Sequence, residues 1–102
     1  DEAMRIIVAE MKAAPGKRAQ LLAILDSMLA PSRAEPGCVS YRYFLSSEDP
    51  DLVHFFEEWT DQEAVEAHFA TDHFQALGPQ LVDLVEGAPD IRIYEAAPAD
   101  AL

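Results

Sequence analysis

The order of strand-like and helix-like segments, β-α-β-β-α(α)-β, predicts an α+β domain of the ferredoxin-like, split βαβ kind: a four-stranded antiparallel sheet with helices on one face. Three observations predict it. The chain has 102 residues, 50% of them hydrophobic, which suits one domain with a single modest core. Four short runs rich in β-branched and aromatic residues are separated by Pro, Gly and polar turn clusters. Longer stretches between them repeat apolar residues at helical spacing. The domain is expected over 4–96, with residues 1–3 and 97–102 as loose termini.

Each element has its own warrant. Met4 to Met11 is apolar on both alternating faces and reads as a strand covered on both sides. Pro15-Gly16 breaks it. Leu21, Leu22, Ile24, Leu25, Met28 and Leu29 then mark an amphipathic helix, which Pro31 is expected to stop. Pro36-Gly37 belongs to a loop, and Cys38 to Leu45 and Leu52 to Trp59 read as strands paired in a hairpin across the polar turn at Ser46 to Asp51. Thr60-Asp61-Gln62-Glu63 matches a capping box, so a helix should start directly after Trp59. Within it Val65, His68 and Phe69 share one face, turning His68 inward. Thr71-Asp72 allows a break and a new cap, Gly78-Pro79 a second interruption, and Leu81, Val82, Leu84 and Val85 a last helix ending at Gly87. Asp90 to Glu95 is the fourth strand.

These strands carry apolar groups on both sides, whereas the helices can cover only one. Leaving the other side wet would forfeit several kcal/mol at about 25 cal/mol per Å². A two-fold homodimer closing sheet on sheet is the expected remedy.

Nineteen acidic against seven basic residues give a net charge of −12, which repels phosphate backbones and anionic lipid headgroups; no nucleic-acid or membrane partner is expected. No apolar run reaches the roughly 18 residues of a membrane span and no secretory leader is evident, so a soluble, cytoplasmic protein is expected. Cys38, the single cysteine, has no partner for an intrachain disulfide and reads as a small buried strand residue.

The runs Glu35-Pro-Gly-Cys-Val-Ser-Tyr-Arg-Tyr43, Phe55-Phe-Glu-Glu-Trp59 and Glu63-Ala-Val-Glu-Ala-His68-Phe-Ala-Thr-Asp-His73-Phe74 together resemble the antibiotic biosynthesis monooxygenase (ABM) domain family. The resemblance runs from Met4 to about Tyr94. It implies a dimeric α+β barrel, each subunit holding a pocket between sheet and helices. Members of the family include cofactor-independent oxygenases of quinols and polyketide-derived phenols, haem-degrading enzymes and an isomerase of a phosphorylated signal molecule. The haem-degrading branch uses an Asn, a Trp and a haem-ligating His; here the first strand has no Asn, Gly78 falls near the ligand position and His68 near the Trp position, which disfavours that activity. A phosphate ligand would have few cations beyond Arg5, Arg42 and Arg92.

The resemblance thus implies an oxygenase that uses neither metal nor flavin and acts on a small aromatic molecule and O2. The alternatives are a non-catalytic ligand-binding or stress-related dimer, or an isomerase of the same fold. Such an oxygenase needs a base that titrates near neutrality, hydrogen-bond donors for the substrate oxygen and a dry pocket. His68 and His73 are the candidate bases; a satisfied core histidine is the alternative for His68, and a helix-end carbonyl contact for His73. Their five-residue spacing is wrong for one helical face, which argues against a metal site. His54 shares a strand face with Phe56, while Val53, Phe55, Glu57 and Trp59 share the other, and the alternation does not say which lines the helix side. Trp59 and Phe69 are candidate pocket walls, Trp59 equally a core anchor. Tyr41 and Tyr43 are candidate ligand-orienting hydroxyls or cross-strand packing aromatics. Glu57 is a further candidate for the substrate-binding pocket, and Glu57 or Glu58 on an inner strand would need a partner, for which Arg42 is expected.

Overall fold

A computed structural model describes residues 3–100. Its elements are β1 (Met4–Lys12), α1 (Arg18–Arg33), β2 (Cys38–Leu45), β3 (Leu52–Trp59), α2 (Gln62–Phe69), α3 (Asp72–Leu81) and β4 (Asp90–Ala96). The strands form one antiparallel sheet in the order β2-β3-β1-β4, and the architecture is the ferredoxin-like α+β arrangement. The hairpin of β2 and β3 pairs Tyr41 with Glu57 and Arg42 with Phe56.

Register decides the faces. Ile7, Ala9 and Met11 of β1 lie beside Glu57, Phe55 and Val53 of β3, and all six are buried together with Tyr41 and Trp59 beneath the helices. The other face carries Ile6, Val8, Arg42, His54, Phe56 and Glu58. His54 there meets Glu10, its Nδ1 3.0 Å from Oε2. From α1, Leu21, Leu25, Met28 and Ser32 reach the core, as spacings of four and three along a helix require.

Three local expectations fail, each for a physical reason. Pro31 does not end α1, which continues to Arg33. Hydrogen bonding resumes beyond the proline, with the Ala34 amide donating to the Ala30 carbonyl at 3.1 Å, and Arg33 Nε donates to the Tyr41 carbonyl at 3.0 Å, fastening the helix end to β2. Gly78-Pro79 does not interrupt α3. A residue before proline is barred from helix largely through its own Cβ, which Gly78 lacks. The last helix expected over Leu81 to Gly87 is absent: Val85 bridges Ala13, and the Glu86 amide donates to the Lys12 carbonyl at 2.8 Å while the Ala14 amide donates to Leu84 at 2.9 Å. The backbone groups beyond the end of β1 need partners, and this segment supplies them.

The helix starts are set by side chains. Asp61, not Thr60, caps α2, its carboxylate accepting from the Ala64 amide at 2.8 Å. Thr60 instead gives its backbone N–H to the Gly37 carbonyl at 3.0 Å. Thr71 caps α3 as expected, accepting from the Phe74 amide at 3.2 Å while its hydroxyl donates to the His68 carbonyl at 2.7 Å. α2 therefore ends at Phe69 and α3 begins at Asp72.

Candidate active site

Between the helix-side face of the sheet and helices α2 and α3 lies a cavity of about 260 Å³, walled by Ile7, Ala9, Met11, Phe55, Phe69, Phe74 and other apolar groups, with Tyr41, Glu57, His68 and Gln75 as its polar members. Sites for small ligands are commonly apolar with a few convergent polar groups, and about 300 Å³ is their lower range. No cationic side chain is among these walls.

His68 is 1% exposed. Aromatic rings box it: Trp59 at 4.5 Å between centroids, Phe74 at 5.2 Å, Tyr41 at 5.8 Å and Phe69 at 5.9 Å. That apolar surrounding holds its pKa below the usual 6.5, because burial disfavours the imidazolium more than the neighbouring Glu35 carboxylate favours it. Nδ1 lies 2.7 Å from Glu35 Oε2, and Nε2 lies 4.0 Å from Glu57 Oε1.

Glu57 is the second group. It is 6% exposed, and burial pushes its carboxyl up to about 7, partly offset by the hydrogen bond from Trp59 and reinforced by the charge of Glu35. The indole N–H of Trp59 donates to Oε1 at 3.0 Å. Trp59 is thus the partner of Glu57, and Arg42 is not: strand alternation sends Arg42, opposite Phe56, to the other face, where its guanidinium sits 5.8 Å from the Phe44 ring centroid. Trp59 is wholly buried behind Glu57 and is not part of the cavity wall.

The remaining candidates divide. Phe69 and Tyr41 line the cavity; burial, then the charge of Glu57, push the Tyr41 phenol up, so it stays protonated at neutrality. Tyr43 lies off the cavity and donates its hydroxyl to Asp26 on α1. His54, on the open face, also lies off it. Cys38 is half-buried rather than buried, and burial with the charges of Glu35 and Glu57 pushes its thiol up to about 11, too high for a thiolate nucleophile.

His73 reaches the site through Glu35: its Nε2 lies 2.8 Å from the same Oε2 that His68 meets. The five-residue spacing does not keep the two imidazoles apart, because the helix breaks at Thr71 and each arrives from its own helix. Glu35, His68 and His73 bring one ligating atom each within 4.8 Å of one another, a donor set of the kind zinc and iron take. Their two short contacts have hydrogen-bond lengths, with one carboxylate oxygen serving two imidazoles. Sequence reasoning did not single out Glu35 as a site residue, since it lies 33 positions from His68 in a loop. Its signals were its place at the head of the first family-like run and its position directly before Pro36-Gly37. Gly37 lets that loop lie against α2: a Cβ there would stand 2.3 Å from the Ala64 Cβ.

Fold and cavity together define a ferredoxin-like α+β protein with a buried carboxyl–imidazole pair in an apolar pocket. The chain belongs to the antibiotic biosynthesis monooxygenase family, whose profile matches residues 4–79. Among its relatives, the uncharacterized protein sll1783 of Synechocystis is 30% identical over 97 residues, 95% of this chain, and the match spans 66% of that protein's length. Rv0793 of Mycobacterium tuberculosis is 33% identical over 79 residues, 78% of this chain and 77% of that protein. The structure of PA3566 from Pseudomonas aeruginosa superposes with a TM-score of 0.86 at 30% identity, covering 94% of this chain and 96% of that one. No helix of the described residues is long and apolar enough to cross a membrane.

Proposed function

We propose that the chain is a homodimeric monooxygenase that oxidises a small neutral phenol or quinol with O2, using its own side chains to ionise the substrate. The observation that carries this reading is the convergence of His68 Nε2 and Glu57 Oε1, 4.0 Å apart, in a cavity whose other walls are almost all apolar. A hydroxyl oxygen can sit about 2.8 Å from both atoms at once, a hydrogen-bond length to each.

The chemistry follows from the states of the two groups. His68, neutral because burial holds its pKa down, takes the hydroxyl proton on Nε2. Glu57, near half-protonated at neutrality, donates a hydrogen bond to the resulting oxyanion when it carries its proton. The electron-rich anion passes an electron to O2, and the two radicals combine at a ring carbon bearing hydrogen. The substrate loses its O–H hydrogen and that C–H hydrogen. One oxygen atom stays on carbon to complete a quinone, and the other leaves with both hydrogens as water. The apolar walls keep bulk water from the intermediate. The family match supports oxygenation over mere binding, and the lack of cations on the walls weighs against a phosphorylated ligand.

Oxygen consumption by the purified, chelator-treated protein is the test, with a panel of reduced naphthoquinols and anthrols and with autoxidation subtracted. His68→Ala is expected to lower protein-dependent uptake at least tenfold while the fold persists by circular dichroism. Uptake unchanged in that variant removes His68 from the mechanism. Ligand binding with no uptake across the panel replaces this reading with the non-catalytic one.

A further inference from the structure

One carboxylate oxygen, Glu35 Oε2, stands 2.7 Å from His68 Nδ1 and 2.8 Å from His73 Nε2. An ionised carboxylate oxygen offers only lone pairs, so in that state it accepts an N–H from each of the two imidazoles, Nδ1–H of His68 and Nε2–H of His73. The loop that carries it is held on several sides. The Glu35 amide donates to the Ser32 carbonyl at 3.1 Å, the Cys38 amide to the Glu35 carbonyl at 3.0 Å and the Thr60 amide to the Gly37 carbonyl at 3.0 Å. Gly37 admits the helix α2 at a distance no side chain would permit. The carboxylate is therefore placed by backbone rather than left to find its partners.

We infer that Glu35 is a positioning residue: it fixes the proton of neutral His68 on Nδ1 and so leaves the Nε2 lone pair directed to the cavity, with His73 as the second anchor of the carboxylate. Histidine in water favours the opposite tautomer, with its proton on Nε2, which would make His68 a donor to the cavity and useless as a base. The ionisable groups packed around His68 are Glu35 from the loop after α1, Glu57 from β3, Tyr41 from β2 and His73 from α3. Glu57 lies beyond hydrogen-bond length from Nε2 and so does not compete for the tautomer. A carboxylate behind an imidazole also stabilises the imidazolium that forms when the base takes its proton. The catalytic consequence rests on the oxygenase reading above; the tautomer does not.

The test is imidazole nitrogen NMR on protein with 15N-labelled histidine, joined to oxygen-uptake kinetics. In the wild-type protein at pH 7.5 or so, where an unperturbed histidine is mostly neutral, His68 is expected to show a protonated Nδ1 and a bare Nε2. In Glu35→Ala the proton is expected to move toward Nε2, with kcat down at least tenfold and KM within about threefold. Glu35→Gln keeps a carbonyl acceptor without the charge. It is expected to retain the Nδ1–H form, to recover part of the rate and to move the acid limb of the kcat profile to lower pH. Should the alanine variant fail to fold, that limb decides: an unchanged profile in Glu35→Gln overturns the inference. A wild-type His68 protonated on Nε2, or nitrogen shifts indifferent to Glu35→Ala, overturns it as well. If the shifts move as expected while the wild-type protein consumes no oxygen with any phenol, the tautomer assignment stands and the oxygenase reading fails.

Discussion

Replacing Glu57 with glutamine separates the cost of a buried carboxyl from everything else in the core. In the folded chain the carboxyl is pushed from its ordinary 4.5 up to about 7, so between those values the folded state holds a proton that the unfolded state has released. Raising the pH through this window therefore destabilises the fold, starting near pH 4.5 and complete above about 7. At about 1.4 kcal/mol per pH unit the loss amounts to about 3 kcal/mol. Glu57→Gln abolishes it while keeping an oxygen to accept from the Trp59 indole. Urea unfolding at fixed protein concentration, at several values between pH 5 and 8, gives the stability of both proteins. Subtracting one curve from the other cancels constant offsets and the groups that titrate in both, including His68, whose depressed pKa costs stability only as the pH falls through its own range. The variant should gain on the wild type by about 2–3 kcal/mol across the window. A difference that stays flat to within about 1 kcal/mol would refute the claim that this carboxyl is held protonated by burial.

Two further outcomes concern the supports of the site. Gly37→Ala, whose Cβ would stand 2.3 Å from that of Ala64, should cost about 1–3 kcal/mol by overpacking in thermal or urea unfolding. Ala64→Gly in the same chain should return most of that cost, and a Gly37→Ala protein as stable as its parent would show that the loop does not need the close approach. In light scattering at micromolar concentration the wild-type protein should weigh twice its 11.3 kDa chain. Phe56→Glu, at the middle of the open sheet face beside Val8 and Arg42, should shift it toward the monomer; a compact wild-type monomer would refute sheet-on-sheet association.

Strand identity was legible because alternation is a local property. The bounds of β2 and β3 follow from the Cys38–Leu45 and Leu52–Trp59 runs, and the inward turn of His68 follows from its spacing to Val65 and Phe69. Helix ends were less legible. Whether Pro31 or Gly78-Pro79 breaks a helix depends on what the next turn can bond to, as the Arg33 contact with the Tyr41 carbonyl shows. The segment after Leu81 carries a helical apolar pattern, yet it serves the unpaired end of β1, a partner distant in sequence.

The sequence by itself determined the order of elements, the family and the presence of histidines and an inner-strand glutamate, because periodicity, capping and motif are written over a few residues at a time. Tertiary structure alone decided which face of β3 meets the helices, and hence that Glu57 rather than His54 enters the cavity. It decided that Trp59, not Arg42, answers the Glu57 carboxyl, and that Tyr43 turns to Asp26. It alone joined Glu35 to His68 and His73. Hydrogen bonds between groups 33 and 38 residues apart depend on where a loop and two helices meet, and no local pattern encodes that meeting.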